Sequence, residues 1–149
     1  MAKIRGSELV GKALQNERVK NIFTLSGELS EIYDSCLAKG IKLIDMRHEQ
    51  AVANAATGYA MVTGEPGVTM VTAGPGAINM AAGIAAAWYA CAPVVAICTS
   101  TALCYTGMGA VQEFDSRDAY HPITKWRGYP TSTERLPENV ATAFRYATT

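Results

Sequence analysis

Between Glu65 and Glu113 the chain runs 47 residues without one Asp, Glu, Lys or Arg, so all 26 of its charges fall in the other 102 residues. A folded chain must cover so long an uncharged run with something other than water. A membrane is excluded by the breaks at Gly74-Pro75-Gly76, Asn79 and Pro93, by a content of Ala, Gly and Thr rather than Leu, and by the lack of flanking Lys/Arg clusters. Met1 to Glu8 contains no apolar core of a signal peptide. The 13 basic and 13 acidic residues cancel at a pI near 6.7, which excludes nucleic-acid binding by bulk charge. At 149 residues, 49% hydrophobic and 17% charged, the chain has the length and apolarity of one domain with a core of its own. Cys36, Cys91, Cys98 and Cys104 show neither CxxC pairing nor His neighbours at zinc spacing. They read as buried thiols in a reducing compartment, and the chain as cytoplasmic.

An alternation of helical and extended patterns runs along the chain, with no internal repeat or linker. The expected helices are Ser7–Glu17 with Ser7 as cap, Leu29–Lys39 stopped by Gly40, and His48–Thr63 closed by Gly64, then one from Gly76 to about Ala90 and one over Thr133–Ala147. The expected strands are Val19–Leu25, Ile41–Asp45, Val68–Thr72 and Pro93–Thr99, the last with the continuous apolar character of a central parallel strand. A short helix at Ser116–Tyr120, ended by His121-Pro122, and a fifth strand at Ile123–Gly128 complete the reading. Strands alternating with helices imply an α/β three-layer sandwich, a mainly parallel central sheet with helices on both faces. Ligands of such sheets sit at the carboxyl ends of the strands. The loops of interest are therefore Ser26–Glu28, Met46–Glu49, Ala73–Gly76 and Ser100–Glu113.

Within those loops, Glu49 opens a helix that is small and apolar nearly all round, as if buried on more than one side. Loss of water around such a carboxyl favours its neutral form and suits proton transfer. A glutamate in a first helical turn also complements the macrodipole without any further role. Gly74-Pro75-Gly76 stands where a phosphate-cradling turn would stand, but Asn79 occupies the sixth position of the dinucleotide fingerprint, so a tight turn is the better reading. The Ala81–Ala87 run lets another backbone come close, as core or interface. Gln112-Glu113 ends the uncharged run, behind a loop of Gly107, Met108, Gly109 and Ala110 able to fold over a flat ligand. His48 and His121 form no Ser-His-Asp grouping by spacing, and Trp88, Trp126 and the tyrosines read as core.

Arg47-His48-Glu49-Gln50-Ala51, then Gly58-Tyr59-Ala60 and Gly74-Pro75-Gly76-Ala77-Ile78-Asn79, form an ordered set, extended by Ile22 to Gly27, Gln112-Glu113-Phe114-Asp115 and Pro122 to Trp126. With these motifs the whole chain resembles the N-terminal, pyrimidine-binding domain of thiamine-diphosphate enzymes of the acetolactate synthase group. The resemblance implies that Glu49 is the catalytic glutamate, which hydrogen-bonds the cofactor's aminopyrimidine ring and favours the tautomer that activates the thiazolium carbon toward a 2-keto acid. It places Ser26, Gly27, Gly74, Pro75, Gly76, Asn79 and Gln112 at the cofactor, and the Ala-rich helices against a neighbouring subunit of a homo- or hetero-oligomer. Asn54 and Thr57 stand where His and Asp are usual in the family, and Ser100-Thr101 where Gly-Gln is frequent; these changes leave the substrate open.

No Gly-Asp-Gly followed by Asn-Asn occurs, the motif that holds Mg2+ and the diphosphate in the family's other domain. The chain also ends at Thr149, where the family continues into a last strand beginning Gly-Pro-Val. Residues 1–149 are thus expected to be the pyrimidine-binding half of a decarboxylase or carboligase, completed by a diphosphate-binding domain or subunit that carries the Mg2+. The same half is expected either in a split enzyme of the sulfopyruvate decarboxylase type or as a truncated product. A non-catalytic interaction domain is the alternative from a different class.

Overall fold

A computed structural model describes residues 4–27 and 29–149. The first three residues, which begin the segment read as lacking a signal-peptide core, and Glu28, the end of the first candidate loop, lie outside the described residues. The elements run α1 Gly6–Asn16, β1 Asn21–Thr24, α2 Ser30–Leu37, β2 Lys42–Asp45, α3 Glu49–Thr63, β3 Gly67–Val71, α4 Pro75–Tyr89, β4 Val94–Cys98 and α5 Leu136–Ala147. All strand pairs are parallel, in the order β2-β1-β3-β4. The expected three-layer α/β architecture is therefore present.

Side chains alternate across the sheet, and the two faces build two cores. Ile22, Val68, Met70 and Val95 pack with α1, α2 and α5 through Leu14, Cys36, Val140 and Phe144. Phe23 and Val71 pack with α3 and α4 through Val52, Ala53, Ala56, Met80 and Ile84. The chain leaves β1 for β2 on one side of the sheet and returns past β1 to β3, so the carboxyl ends of β1 and β3 part at a topological switch point.

Helix boundaries follow local chemistry. His48 caps α3, its Nδ1 accepting from the Gln50 N–H at 3.1 Å, and Gly64 at φ 73° closes it. Pro75 is the first residue of α4, where its missing N–H costs nothing. Ser7 does not cap α1, which starts at Gly6 behind Arg5 without a side-chain cap.

Several expectations fail for tertiary reasons. Ile123–Gly128 forms no strand: among the described residues it has no ladder partner, and a groove of about 1280 Å³ lined by both segments lies beside β4. β4 is accordingly an edge strand, not a central one. Ser116–Tyr120 is a set of turns, and His121 opens a short 3-10 helix, His121–Ile123, rather than ending one. α3 is buried on one side only, since Ala51, Asn54, Gly58, Met61 and Val62 are exposed. Of the aromatics read as core, Trp88, Tyr89, Tyr105, Tyr129 and Tyr146 are exposed, whereas Tyr120 is buried. Only Cys36 is a fully buried thiol; Cys98 is half-buried, and Cys91 and Cys104 are exposed. Among the described residues no helix is long and apolar enough to cross a membrane.

Candidate functional site

The sequence-selected residues meet at the carboxyl ends of β1 and β3. Glu49 is the first residue of α3 and only 7% exposed. Its Oε2 accepts a hydrogen bond from Asn79 Nδ2 on α4 at 3.1 Å. Its Oε1 lies over Gly76, where a Cβ would fall 3.3 Å from that oxygen and 2.9 Å from Thr72 Cγ2. Glycine at 76 therefore brings the start of α4 against a buried carboxyl that any side chain would crowd.

Thr72, the residue just after β3, is the hub of the rest. Its Oγ1 donates to Gln112 Oε1 at 3.0 Å. A Cβ on Gly27 would stand 3.5 Å from Thr72 Cβ, which places the β1 loop on the same residue. Gly74 holds φ 58°, and a Cβ there would meet the Gln112 carbonyl oxygen at 2.5 Å. The turn after β3 and the loop bearing Gln112 are thus in backbone contact across 38 residues of sequence. Gln112 itself holds φ 61°.

Glu113 keeps that loop wound. Its carboxylate accepts the backbone N–H of Gly107, of Gly109 at 2.9 Å and of Ala110 at 3.1 Å. These donors, Gly107 foremost, hold its carboxyl below the usual range. Beyond it, the Arg117 guanidinium holds Asp115 down to about 2. Ser26 contributes its backbone, the N–H donating to Asp45 Oδ1 at 2.9 Å and tying the ends of β1 and β2 together.

The structure brings Gly27, Gly74, Gly76 and Gln112 together around Thr72, and Glu49 and Asn79 against Gly76. Pro75 is exposed on the first turn of α4, with no side-chain role apparent from these contacts. Asn79, read from the sequence as a cofactor residue, points its amide at Glu49. Thr72 and Asp45 were not singled out by sequence reasoning, although both stand at strand ends, where such folds place their sites. Thr57 is buried, its hydroxyl donating to the Ala53 carbonyl at 2.8 Å, while Asn54 is exposed.

Chemically, the cluster offers one buried carboxyl and few competing groups. Burial pushes the Cys98 thiol up to about 11 and raises the Tyr120 phenol as well, so neither ionises near neutral pH. No group of His, Cys, Asp and Glu able to hold a metal is found among the described residues. The groove of about 1280 Å³ along β4 is lined by none of Glu49, Gly74, Gly76, Asn79 and Gln112.

Comparison with known proteins identifies the family. The family described as thiamine pyrophosphate enzyme, N-terminal TPP binding domain, matches residues 4–119. The chain is 40% identical over 147 residues to a probable acetolactate synthase large subunit of Methanocaldococcus jannaschii, covering 98% of this chain and 25% of that protein. It is 35% identical over 144 residues to 2-hydroxyacyl-CoA lyase 1 of Homo sapiens, covering 96% and 25%. To sulfoacetaldehyde acetyltransferase of Castellaniella defragrans it is 34% identical over 142 residues, covering 95% and 24%. The chain thus spans about a quarter of the length of the curated relatives it matches. With the motifs, the parallel sheet and the matched span in agreement, the chain belongs to the thiamine pyrophosphate enzymes, as their N-terminal TPP-binding domain.

Proposed function

We propose that this chain is the pyrimidine-binding half of a thiamine-diphosphate-dependent 2-keto acid decarboxylase or carboligase, with Glu49 activating the cofactor's aminopyrimidine. The observation that carries the reading is the buried Glu49 carboxyl, with Oε2 engaged by Asn79 and Oε1 over the bare Cα of Gly76. A glycine there brings the start of α4 against that oxygen with no side chain between them. When bound, thiamine diphosphate supplies the electron sink that lets a 2-keto acid lose carbon dioxide. Glu49 holds or passes a proton at Oε1. Gly27, Gly74, Gly76 and Gln112, with the backbone of Pro75, would line the cofactor's edge, with Ser26 shaping the β1 loop.

A half-site requires its complement. The diphosphate and its Mg2+ would belong on a diphosphate-binding domain or subunit carrying the family's Gly-Asp-Gly and Asn-Asn motif, which residues 1–149 do not contain. The exposed, uncharged flank of α3 and α4, with Asn54, Gly58, Ile78, Ala82 and Ala86, supports a neighbouring polypeptide packed on that face, in a homo- or hetero-oligomer. Four free thiols support a cytoplasmic location.

The test pairs the chain with a diphosphate-binding domain of its own enzyme and measures cofactor-dependent carbon dioxide release from 2-keto acids. Glu49→Gln is expected to reduce the rate by about a thousandfold or more. Full activity in that variant would remove Glu49 from the chemistry. A chain that binds neither partner domain nor cofactor would be an interaction domain without turnover, for which the uncharged α3/α4 flank is equally suited.

A further inference from the structure

Glu49 and Asn79 differ in one telling respect: the carboxyl is buried, while the amide that touches it belongs to an exposed residue of α4. Burying a carboxyl leaves two oxygens to be satisfied, and the chain treats them unequally. Oε2 receives an N–H from Asn79 at 3.1 Å, and an amide nitrogen can only donate. Oε1 receives no hydrogen bond among the described residues and faces Gly76 instead. A proton on Oε2 would weaken the acceptor that Asn79 uses, whereas a proton on Oε1 leaves that hydrogen bond intact.

We infer that Asn79 is a positioning residue that acts through Glu49: by occupying Oε2 it makes Oε1 the oxygen that takes and returns the proton. This deepens the proposed function and rests on it. The exchange is balanced by itself, one proton passing between Oε1 and the aminopyrimidine ring nitrogen, with no other reactant. Asn79 then has no direct contact with the cofactor. Its place in the second turn of α4, behind Gly76 on the same helix, lets the α4 start set both the space in front of Oε1 and the anchor behind Oε2.

Two measurements test this. The first uses the chain alone. One Asn79 side-chain amide proton is expected to exchange slowly with solvent, and Glu49→Ala is expected to release it. Unchanged amide exchange in that variant would show the hydrogen bond to be absent and overturn the inference.

The second is a double-substitution cycle on the chain assembled with its diphosphate-binding domain, read as deuterium exchange at the thiazolium carbon of bound cofactor and as cofactor affinity. Asn79→Leu removes the donor at an exposed position of α4. It is expected to slow exchange by about ten- to a hundredfold and to leave affinity within about twofold. Asn79→Asp, which sets a second carboxylate against Glu49, is expected to be slower still. In a Glu49→Ala background Asn79→Leu is expected to add nothing. Additive losses, or a loss of affinity as large as the loss of rate, would mean that Asn79 touches the cofactor and would overturn the inference alone. Exchange unaffected by Glu49→Ala itself would instead remove the proposed function beneath it.

Discussion

Thr72 and Gln112 are joined by a hydrogen bond of 3.0 Å between side chains 40 residues apart in sequence. It goes with a backbone contact, since Gly74 lets the Gln112 carbonyl lie against the turn after β3. Both residues that make this contact have positive φ, Gly74 at 58° and Gln112 at 61°.

Gly74→Ala is expected to displace the Gln112 loop. The added Cβ would stand 2.5 Å from the Gln112 carbonyl oxygen, at a φ that L-residues rarely adopt. A stability loss of about 1–3 kcal/mol in urea unfolding follows. Faster exchange of the Gln112 backbone amide is the local signature, and an unshifted Gln112 resonance would contradict the contact.

The loop should open in acid. Glu113 has its folded pKa held below its unfolded value by backbone N–H groups, so its contribution to loop stability is present at neutral pH. It is lost as pH falls through that lowered value. Amide exchange at Gly107, Gly109 and Ala110, compared with neighbouring amides, is expected to rise selectively as pH drops below about 4. Glu113→Gln, with one acceptor oxygen in place of two, is expected to show the open loop already at neutral pH.

Close approach of α3 and α4 carries the carboxyl. A Cβ on Gly83 would stand 2.5 Å from Ala53 Cβ and 2.8 Å from the Gln50 carbonyl oxygen. Gly83→Val is therefore expected to push the helices apart and to cost about 1–3 kcal/mol by denaturant unfolding. Because Gln50 neighbours Glu49, the same variant should weaken the Glu49–Asn79 hydrogen bond, visible in the Asn79 side-chain amide signals.

The flank of α3 and α4 is expected to bind a polypeptide rather than to stabilise the monomer. Ala82→Arg places a charge on that exposed face and is expected to change unfolding free energy by less than about 0.5 kcal/mol. Sedimentation should nevertheless show weaker association with the diphosphate-binding domain. Undiminished association would move the interface elsewhere.

Local chemistry along the chain was enough to mark the parallel α/β alternation, the α3 stop at Gly64 and the turn at Gly74-Pro75-Gly76 that leads into α4, while the grouping of Glu49, Gly76 and Gln112 came from the resemblance to a family. Each of the first three depends on spacing or on a residue whose backbone preference is intrinsic: glycine for positive φ, proline for a first helical turn, apolar runs for strands. Pairing and burial were not legible. Val94–Cys98 has the composition of a central strand but stands at the edge, and Ile123–Gly128 has a strand's composition and no ladder, because a strand needs a partner that composition does not name. The uncharged 47 residues were likewise ambiguous, since an apolar side chain reads the same in a core and on a bare flank. Only the tertiary structure divides them, sending Val68, Met70 and Met80 inward while Ala82, Ala86 and Tyr89 remain outside. It also decided that Asn79 meets Glu49 and that Thr72 meets Gln112, because contacts between separate elements depend on how helices and strands pack and not on any spacing along the chain.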